Sequence, residues 1–268
     1  MCYNPQQVYD KSSGAWLTVS CRKCAECMQV RANEWALRGH FELLQHKENC
    51  FVTLTYENNP VRLHKEHMQK FIKRLRKAIE PKKIRYFSCG EYGDRGLRPH
   101  YHIIIFGYDF DDKTFVRMSP SGKAIYNSMK LNALWPEGIA IVQEANVNTI
   151  RYSAKYSTKL KQNLPEHLKP YPEFNTMSND LGITQALKKM STYLETDEIY
   201  IDGFSYIIPD ILLMKFAKNI LKYDDQHAKL FTKDYKSNRE FRKRTVEELK
   251  QAERLAQKKL LHQSLRQL

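Results

Sequence analysis

The sequence predicts an α+β fold in which a central antiparallel β-sheet is flanked by helices. Strand-like segments, rich in β-branched and aromatic residues, alternate with segments whose apolar residues recur at three- and four-residue steps. Their order (strand, helix, strand, strand, strand, helix) is typical of an antiparallel sheet that helices cover. Among 268 residues, a hydrophobic fraction of 42% is compatible with a packed core. We therefore expect one large domain, or a core with appendages.

The first half of the chain contains three of the predicted strands. Residues 1–20 are turn-rich and are expected to be irregular, whereas helical spacing of apolar residues predicts helices over 25–45 and 65–79. Strand patterns cover residues 51–56, 83–93 and 100–107. The third strand is apolar on both faces from Ile103 to Phe106, so we expect it at the centre of the sheet.

The second half adds one strand to the sheet and then continues mainly with helices. Residues 108–130 are interpreted as a loop insertion, 139–145 as a strand, and 146–162 and 210–223 as helices. Asn146 or Asn148 is the expected N-cap of the helix that begins near residue 146. The dipeptide Asp202-Gly203 predicts a β-hairpin between two short strands.

These elements divide the chain into four segments. Residues 1–50 are an N-terminal segment with clustered cysteines and a helix that is expected to pack on the core. Residues 51–165 form the core, whose strand and helix order resembles a ferredoxin-like or RRM-like sheet. Residues 166–230 are an accessory region of a hairpin and a helix, and residues 231–268 are a basic helical tail.

The charge balance predicts a polyanionic partner. The chain has 44 Lys and Arg against 30 Asp and Glu, a formal net charge of +14, and such an excess repels itself unless a polyanion relieves it. We find no apolar run of about 18 residues and no signal-peptide pattern at the start, so no membrane association is expected. The expected partner is nucleic acid in a soluble, intracellular setting, although charge alone also fits a merely basic protein.

Two histidines on the third strand form a candidate metal site. In "LRPHYHIIIFG", His100 and His102 share one strand face because side chains alternate, and Tyr101 points the other way. Glu91 ends the preceding strand, and an antiparallel pairing would place it beside both imidazoles. Two histidines and a carboxylate leave coordination positions open for substrate oxygens. The alternative is a pair of polar residues on an ordinary strand, and Glu144 is another acid that could complete the set.

A tyrosine pair on the following helix suggests the reaction. In "RYSAKYSTK", Tyr152 and Tyr156 lie four residues apart and share a helix face, with Lys155 and Lys159 interleaved at the same spacing. A tyrosine can attack phosphorus covalently, and its phenol, which titrates near 10, needs a cation to favour the phenolate. Tyrosines and lysines beside a metal site are suited to cutting a DNA strand. The alternative role of the tyrosines is helix–sheet packing.

Clustered cysteines suggest a second, structural metal site. Cys21, Cys24 and Cys27 are separated by two residues each, and Cys2 lies upstream. In an intracellular chain a disulfide framework is disfavoured, whereas these gaps let several thiolates face one ion. A Cys₄ zinc site is predicted here, and reduced surface thiols are the alternative.

Basic residues near these motifs are candidates for DNA binding. Lys73, Arg74 and Lys77 lie on the polar face of the helix at 65–79, and Arg95 and Arg98 flank the histidine strand. Phosphate contacts by such residues would make affinity depend strongly on salt.

Taken together, these motifs resemble a known family. The His-hydrophobe-His (HUH) motif, "FVTLTY" before it and "YSAKYSTK" after it are similar, in order and rough spacing, to the three motifs of rolling-circle replication initiators. With "CRKCAEC", "CGEYG" and "PEFNTMS", residues 1–185 resemble, block after block, replication initiation proteins of small single-stranded DNA bacteriophages, the gokushovirus type of the microviruses. One departure is "NDLGI", where that family usually has a basic, Pro-Gly-containing run.

The resemblance implies a function, a mechanism and partners. It implies an HUH endonuclease core in which Glu91, His100 and His102 hold Mg²⁺ or Mn²⁺ and a tyrosine forms a 5′-phosphotyrosine link with DNA. Lys155 or Lys159 would neutralise charge that develops at the phosphate. The implied partners are single-stranded origin DNA and a host polymerase and helicase, in the cytoplasm of a bacterial host. Two alternatives remain, an HUH transposase or relaxase, and a non-catalytic, zinc-containing nucleic-acid-binding protein.

Overall fold

The computed structural model describes residues 2–10, 14–58, 60, 62–94, 96–156, 164–201 and 203–237. The strands are β1 (Gln6–Asp10), β2 (Ala15–Val19), β3 (Asn49–Tyr56), β4 (Arg85–Tyr92), β5 (Pro99–Phe106), β6 (Thr114–Met118), β7 (Ala124–Asn127), β8 (Gly138–Glu144), β9 (Phe174–Met177), β10 (Glu198–Ile201) and β11 (Phe204–Ile207). The helices are α1 (Ala25–Leu43), α2 (Lys65–Ala78), α3 (Met129–Leu134), α4 (Val147–Tyr156), α5 (Ile183–Leu187), α6 (Met190–Thr196), α7 (Asp210–Asn219) and α8 (Asp225–Ser237), and a 3-10 turn covers Glu166–Leu168.

A seven-stranded antiparallel sheet forms the centre of the molecule. Its strand order is β6-β7-β8-β3-β5-β4-β9. The predicted α+β class, with a central antiparallel sheet and flanking helices, is thereby confirmed. β5 is paired on both sides, by β3 and β4, and its residues Ile103 to Phe106 are fully buried, as the two-sided apolar pattern predicts.

The two faces of the sheet pack against different helices. Odd-numbered residues of β5, such as Tyr101 and Ile103, are buried together with Phe71 and Leu75 of α2. Even-numbered residues, such as Ile104, are buried together with residues of α1 and α4 on the opposite face. Because side chains alternate along a strand, His100 and His102 belong to the face that α1 and α4 cover. The sheet is therefore a middle layer between α2 and the α1–α4 pair.

Two segments differ from the sequence-based expectation. Residues 6–19, expected to be irregular, form the β1–β2 hairpin, and residues 114–127, expected to be a loop insertion, form the β6–β7 hairpin. β7 pairs with β8 through Tyr126 and Val142, so this second hairpin extends the sheet at one edge. Both hairpins are largely exposed, and their strands therefore lack the apolar alternation that marks a buried strand.

The helix that carries the candidate nucleophile begins at a reciprocal cap. The side chain of Asn146 accepts a hydrogen bond from the Thr149 amide at 3.0 Å, and the Asn146 amide donates to Thr149 Oγ1 at 2.9 Å. Asn146, one of the two predicted N-caps, thus satisfies amides that would otherwise lack partners at the start of α4. The cap fixes where the helix leaves β8.

A second apolar cluster lies beyond the sheet. Leu37 and Phe41 of α1 are buried together with residues of α5, α6, α7 and the β10–β11 hairpin. The predicted hairpin at Asp202-Gly203 is confirmed by the pairing of β10 with β11 on either side of that dipeptide. Helix α1 is therefore shared between this cluster and the sheet. Among the described residues, no helix combines the length and the apolar composition needed to cross a bilayer.

Candidate metal centre and tyrosine helix

The strand register brings the three predicted metal ligands together. Glu91 of β4 lies directly opposite His100 of β5, and His102 lies two residues further along the same strand. All three side chains project from the α1–α4 face because the register places them on the same side of the pleat. One ligand atom from each residue lies within 4.8 Å of the others, a spacing that a single metal ion can bridge.

Both imidazoles point their Nε2 atoms at the same carboxylate oxygen. His100 Nε2 lies 2.7 Å, and His102 Nε2 2.9 Å, from Glu91 Oε1. Glu91 and His102 are almost completely buried, whereas His100 is partly exposed. The cluster is thus closed towards the sheet and open on the side of His100.

The outer nitrogen of each imidazole is also held. His100 Nδ1 lies 3.1 Å from the Arg98 carbonyl, which can only accept a hydrogen bond, and His102 Nδ1 lies 3.0 Å from Thr53 Oγ1. The His102 ring also stacks on Phe51, with ring centroids 5.3 Å apart and an angle of 17° between the planes. Partners of this kind orient metal-ligating histidines and direct Nε2 towards the ion.

The electrostatics favour the protonation states that a metal ion requires. Burial would by itself raise the pKa of Glu91, but hydrogen bonds from His100 and His102 lower it to about 2. Burial lowers the pKa of His102, which favours the neutral imidazole. An ionised carboxylate beside a neutral imidazole is the ligand state for a divalent cation.

The donor set fits a divalent cation. Glu91 Oε2 is buried, and it accepts no hydrogen bond from the residues that the structure describes. A buried carboxylate oxygen without a donor is costly, and a bound cation would satisfy it. Two imidazoles and one carboxylate also leave coordination positions for substrate oxygens. Glu144, the other acid considered from the sequence, is opposite Cys50 on β3 and lies outside this cluster.

Tyr152 lies beside this cluster. Its ring meets the His102 ring edge-on, with centroids 5.5 Å apart and 78° between the planes, and the side chain is 38% exposed. Ile150 and Ala154, two residues to either side, are buried, so the helix presents Tyr152 away from its packed face. The phenol is therefore both close to the metal centre and accessible from solvent.

A close approach between two helices sets the position of α4. A Cβ atom placed on Gly39 of α1 would lie 2.6 Å from Ile150 Cγ2, so only glycine permits this packing distance. Next to Tyr152, the Arg151 guanidinium donates to the Tyr206 hydroxyl and lies over the Phe204 ring at 4.1 Å. The tyrosine helix is thus positioned by α1 on one side and by β11 on another.

Several predicted site residues fall outside what is described. Tyr156 is the last residue of α4 and Lys155 precedes it, but the described part of the structure excludes both side chains. Lys159 and Arg95 lie outside the described residues altogether. The catalytic roles of Tyr156, Lys155 and Lys159, and DNA binding by Arg95, stay predictions.

The remaining predicted DNA-binding residues lie on two sides of the sheet. Lys73 and Lys77 are exposed on α2, and α2 covers the face opposite the metal centre. Arg74 donates to the Leu134 carbonyl at 2.8 Å and is paired with Glu137, so its side chain holds α2 to the segment after α3. Arg98, in contrast, is exposed beside His100. Of the basic residues predicted to bind DNA and described here, Arg98 is the one next to the candidate site.

Two supporting residues were not assigned roles at the metal site from the sequence. Thr53 and Phe51 come from β3, and both contact His102. The alternation in "FVTLTY" places them on one strand face, but which neighbouring strand that face meets depends on the sheet order. The strand register, a tertiary property, was the missing information.

The core of the chain matches a family of replication proteins. Residues 49–161, from β3 through α4, match the family model of the replication-associated protein ORF2. This part of the chain belongs to that family. The matched range contains Glu91, both histidines and Tyr152, so the candidate site lies inside the family domain.

Individual relatives extend the match to the flanking segments. The chain is 32% identical over 227 residues to Replication-associated protein ORF4 of Chlamydia phage 1, covering 77% of this chain and 56% of the relative. It is 31% identical over 198 residues to Replication-associated protein ORF2 of Spiroplasma virus 4 (69% and 62%), and 32% identical over 149 residues to Replication-associated protein VP4 of Bdellovibrio phage phiMH2K (52% and 47%).

These matches confirm the resemblance to phage replication proteins that the motifs predict. The chain spans about half to three fifths of the length of these relatives. The comparison with solved structures found no match.

Proposed function

We propose that this chain initiates rolling-circle DNA replication by cutting one DNA strand at a specific site and later rejoining it. Membership of the core in a replication-associated family supports a role in replication. The observation that carries the chemistry is the contact between Tyr152 and His102, since it puts a candidate nucleophile against a candidate metal centre. The exposure of Tyr152 and of His100 leaves this side accessible to a DNA strand.

Glu91, His100 and His102 are the residues that would hold a divalent ion, Mg²⁺ or Mn²⁺. A bound ion of this kind would polarise the oxygens of the scissile phosphate. The protein's own contribution is to hold these ligands rigidly. β5 is buried in the middle of the sheet, and Thr53 and the Arg98 carbonyl orient the two imidazoles.

The tyrosine supplies the covalent step. The Tyr152 phenol oxygen would bond to phosphorus, the bond from phosphorus to the 3′ oxygen would break, and the departing oxygen would take up a proton in place of the one that the phenol loses. The products are a 5′-phosphotyrosine link and a free 3′-OH, which a host polymerase could extend. Lys155 and Lys159 are candidates for stabilising the negative charge of this transition state.

A second tyrosine on the same helix suits a cycle of two cuts. Tyr156 ends α4, four residues after Tyr152. After one round of synthesis, Tyr156 would attack the regenerated junction, and the released 3′-OH would attack the first phosphotyrosine to close a circle. The two tyrosines would then alternate as nucleophile.

Two other functions share some of these features. An HUH transposase or relaxase would use the same residues on a different DNA. A non-catalytic nucleic-acid-binding protein would keep the basic charge and use the His–Glu cluster only as a buried hydrogen-bond network. The replication family favours the initiator over the transposase, and the accessible phenol beside the cluster favours catalysis over binding alone.

A covalent trapping assay separates these possibilities. The full chain is incubated with Mn²⁺ and single-stranded oligonucleotides that tile the genome encoding it, and denaturing gels detect a DNA–protein adduct. We expect one oligonucleotide to give an adduct, and we expect the adduct to be lost when Tyr152 and Tyr156 are both changed to Phe. Tyr200→Phe, at an exposed tyrosine of β10, is the matched control. Failure to form an adduct with any divalent ion, or its persistence in the double variant, would rule out the tyrosine mechanism.

A further inference from the structure

Four cysteines lie together at the N-terminus of α1, apart from the candidate metal centre. Their sulfur atoms all lie within 4.8 Å of one another. Cys21 Sγ is 3.9 Å from Cys27 Sγ, and Cys24 Sγ is 3.9 Å from Cys2 Sγ. Four thiolates at the usual Zn–S distance of about 2.3 Å in a tetrahedron would be separated by about 3.8 Å. The cluster therefore has the dimensions of a tetrahedral thiolate site.

Backbone amides are directed at these sulfur atoms. The amides of Lys23 and Cys24 donate to Cys21 Sγ, at 3.5 and 3.3 Å, and the Cys21 amide donates to Cys2 Sγ at 3.2 Å. Donors of this kind stabilise thiolates and orient metal ligands. The chain turns between Cys21 and Cys24 through Arg22, a non-glycine residue with φ of +59°. Such a conformation persists only where the surroundings require it.

The neighbouring hairpin shows what such a site would hold in place. Nearly every residue of β1 and β2 is exposed, including Trp16, which is 69% exposed. A two-stranded hairpin without a buried face is marginally stable at best. Cys2 precedes β1 and Cys21 follows β2, so the cluster closes the open end of the hairpin and joins it to the first turn of α1.

We propose that Cys2, Cys21, Cys24 and Cys27 bind one zinc ion, which fixes the β1–β2 hairpin to the start of α1. Sulfur separations of 3.9 Å suit shared coordination rather than disulfide bonds, which require about 2.05 Å. A closed set of four thiolates without an open position is the pattern of a structural zinc site. The ion would act on folding of the N-terminal segment, and this role is independent of strand cutting.

Metal content and ligand type are measured on the full, reduced chain. We expect elemental analysis to find one tightly bound zinc ion per chain that depends on cysteine. Replacing zinc by Co²⁺ should produce the intense charge-transfer absorption of cobalt bound to thiolates. The His100–His102–Glu91 cluster has no sulfur and cannot produce that absorption, so the two metal sites are distinguished by their spectra.

Matched variants assign the ligands. Cys24→Ser should lose the zinc and the cobalt–thiolate absorption, whereas Cys50→Ala, which removes a buried thiol from β3, should retain both. His102→Ala should likewise retain the cysteine-bound zinc. Retention of zinc by Cys24→Ser, bound iron in place of zinc, or disulfide-linked cysteines in the protein as purified would each overturn the proposal.

Trypsin provides a test that needs no variant. Arg22 and Lys23 are exposed between two of the ligands, and both are trypsin sites. We expect cleavage after these residues to be at least about ten-fold slower with zinc bound than after chelation, since a fixed turn resists the local opening that proteolysis requires. Adding Zn²⁺ back should restore protection. Equal cleavage rates with and without zinc would contradict an anchoring role, even if Cys24→Ser failed to fold.

Discussion

The phenol ring of Tyr152 meets the imidazole ring of His102 edge-on, with centroids 5.5 Å apart. The two residues are fifty positions apart, and they meet because α4 packs on the sheet face from which the even-numbered residues of β5 project. This contact links the candidate nucleophile to the candidate metal centre. It therefore decides which substitutions should affect catalysis and which should affect only stability.

Removing the Tyr152 hydroxyl should shift the covalent link to the other tyrosine. Tyr152→Phe keeps the ring that packs on His102 and removes only the nucleophilic oxygen, so folding and DNA affinity should be nearly unchanged. Peptide mapping of the adduct should then find DNA on Tyr156 alone. An adduct that maps to neither tyrosine would contradict the assignment of the helix.

Changing Glu91 to Gln should abolish metal-dependent cleavage. The substitution keeps the shape of the side chain but removes the charge that binds a divalent ion. Mn²⁺ binding, followed by electron paramagnetic resonance, should weaken at least about ten-fold, and adduct formation should be lost. Glu144→Gln is the matched control, and it should behave like the unmodified chain. The reverse result would identify Glu144 as the ligand.

Removing the hydroxyl of Thr53 should weaken metal binding without changing the fold. Thr53→Val is nearly isosteric and deletes the hydrogen bond to His102 Nδ1. Loss of such an orienting partner typically reduces metal affinity or activity by about 10–100-fold. The measurement is the Mn²⁺ concentration that gives half-maximal cleavage. Thr55→Val, two residues along β3 where the hydroxyl donates to the Ile139 carbonyl, should leave that concentration unchanged.

Adding a methyl group at Gly39 should displace the tyrosine helix. The new Cβ would overlap Ile150 Cγ2, and overpacking of this kind typically costs about 1–3 kcal/mol of stability. Thermal unfolding should show Gly39→Ala to be destabilised and cleavage to be slower. The double variant Gly39→Ala/Ile150→Ala should recover part of both losses relative to Ile150→Ala. Strict additivity of the two substitutions would argue against the contact.

Arg98 should contribute more to DNA binding at the site than Lys73. Arg98 is exposed beside His100, whereas Lys73 lies on α2, across the sheet from the metal centre. For single-stranded DNA, losing one phosphate contact should reduce the slope of log affinity against log salt by about 0.7. We expect that reduction for Arg98→Ala and little change for Lys73→Ala. A larger effect at Lys73 would indicate that DNA follows the α2 face.

The sequence by itself determined the antiparallel α+β class, the strand pair that carries Glu91 and the histidines, and the helix that carries Tyr152. These depend on local periodicity: alternation places His100 and His102 on one face, and a short connection between consecutive strands forces antiparallel pairing. The motif order also predicted the relationship to phage replication proteins, which the comparisons confirm.

Only the tertiary structure decided the contacts between segments far apart in the chain. That Glu91 rather than Glu144 joins the histidines, that Thr53 orients His102, and that Arg74 holds α2 to its neighbour all depend on strand order and helix packing. The exposed hairpins were also invisible to periodicity, because a strand without a buried face has no apolar alternation. Short-range pattern encodes which face a residue occupies, but long-range packing determines what that face meets.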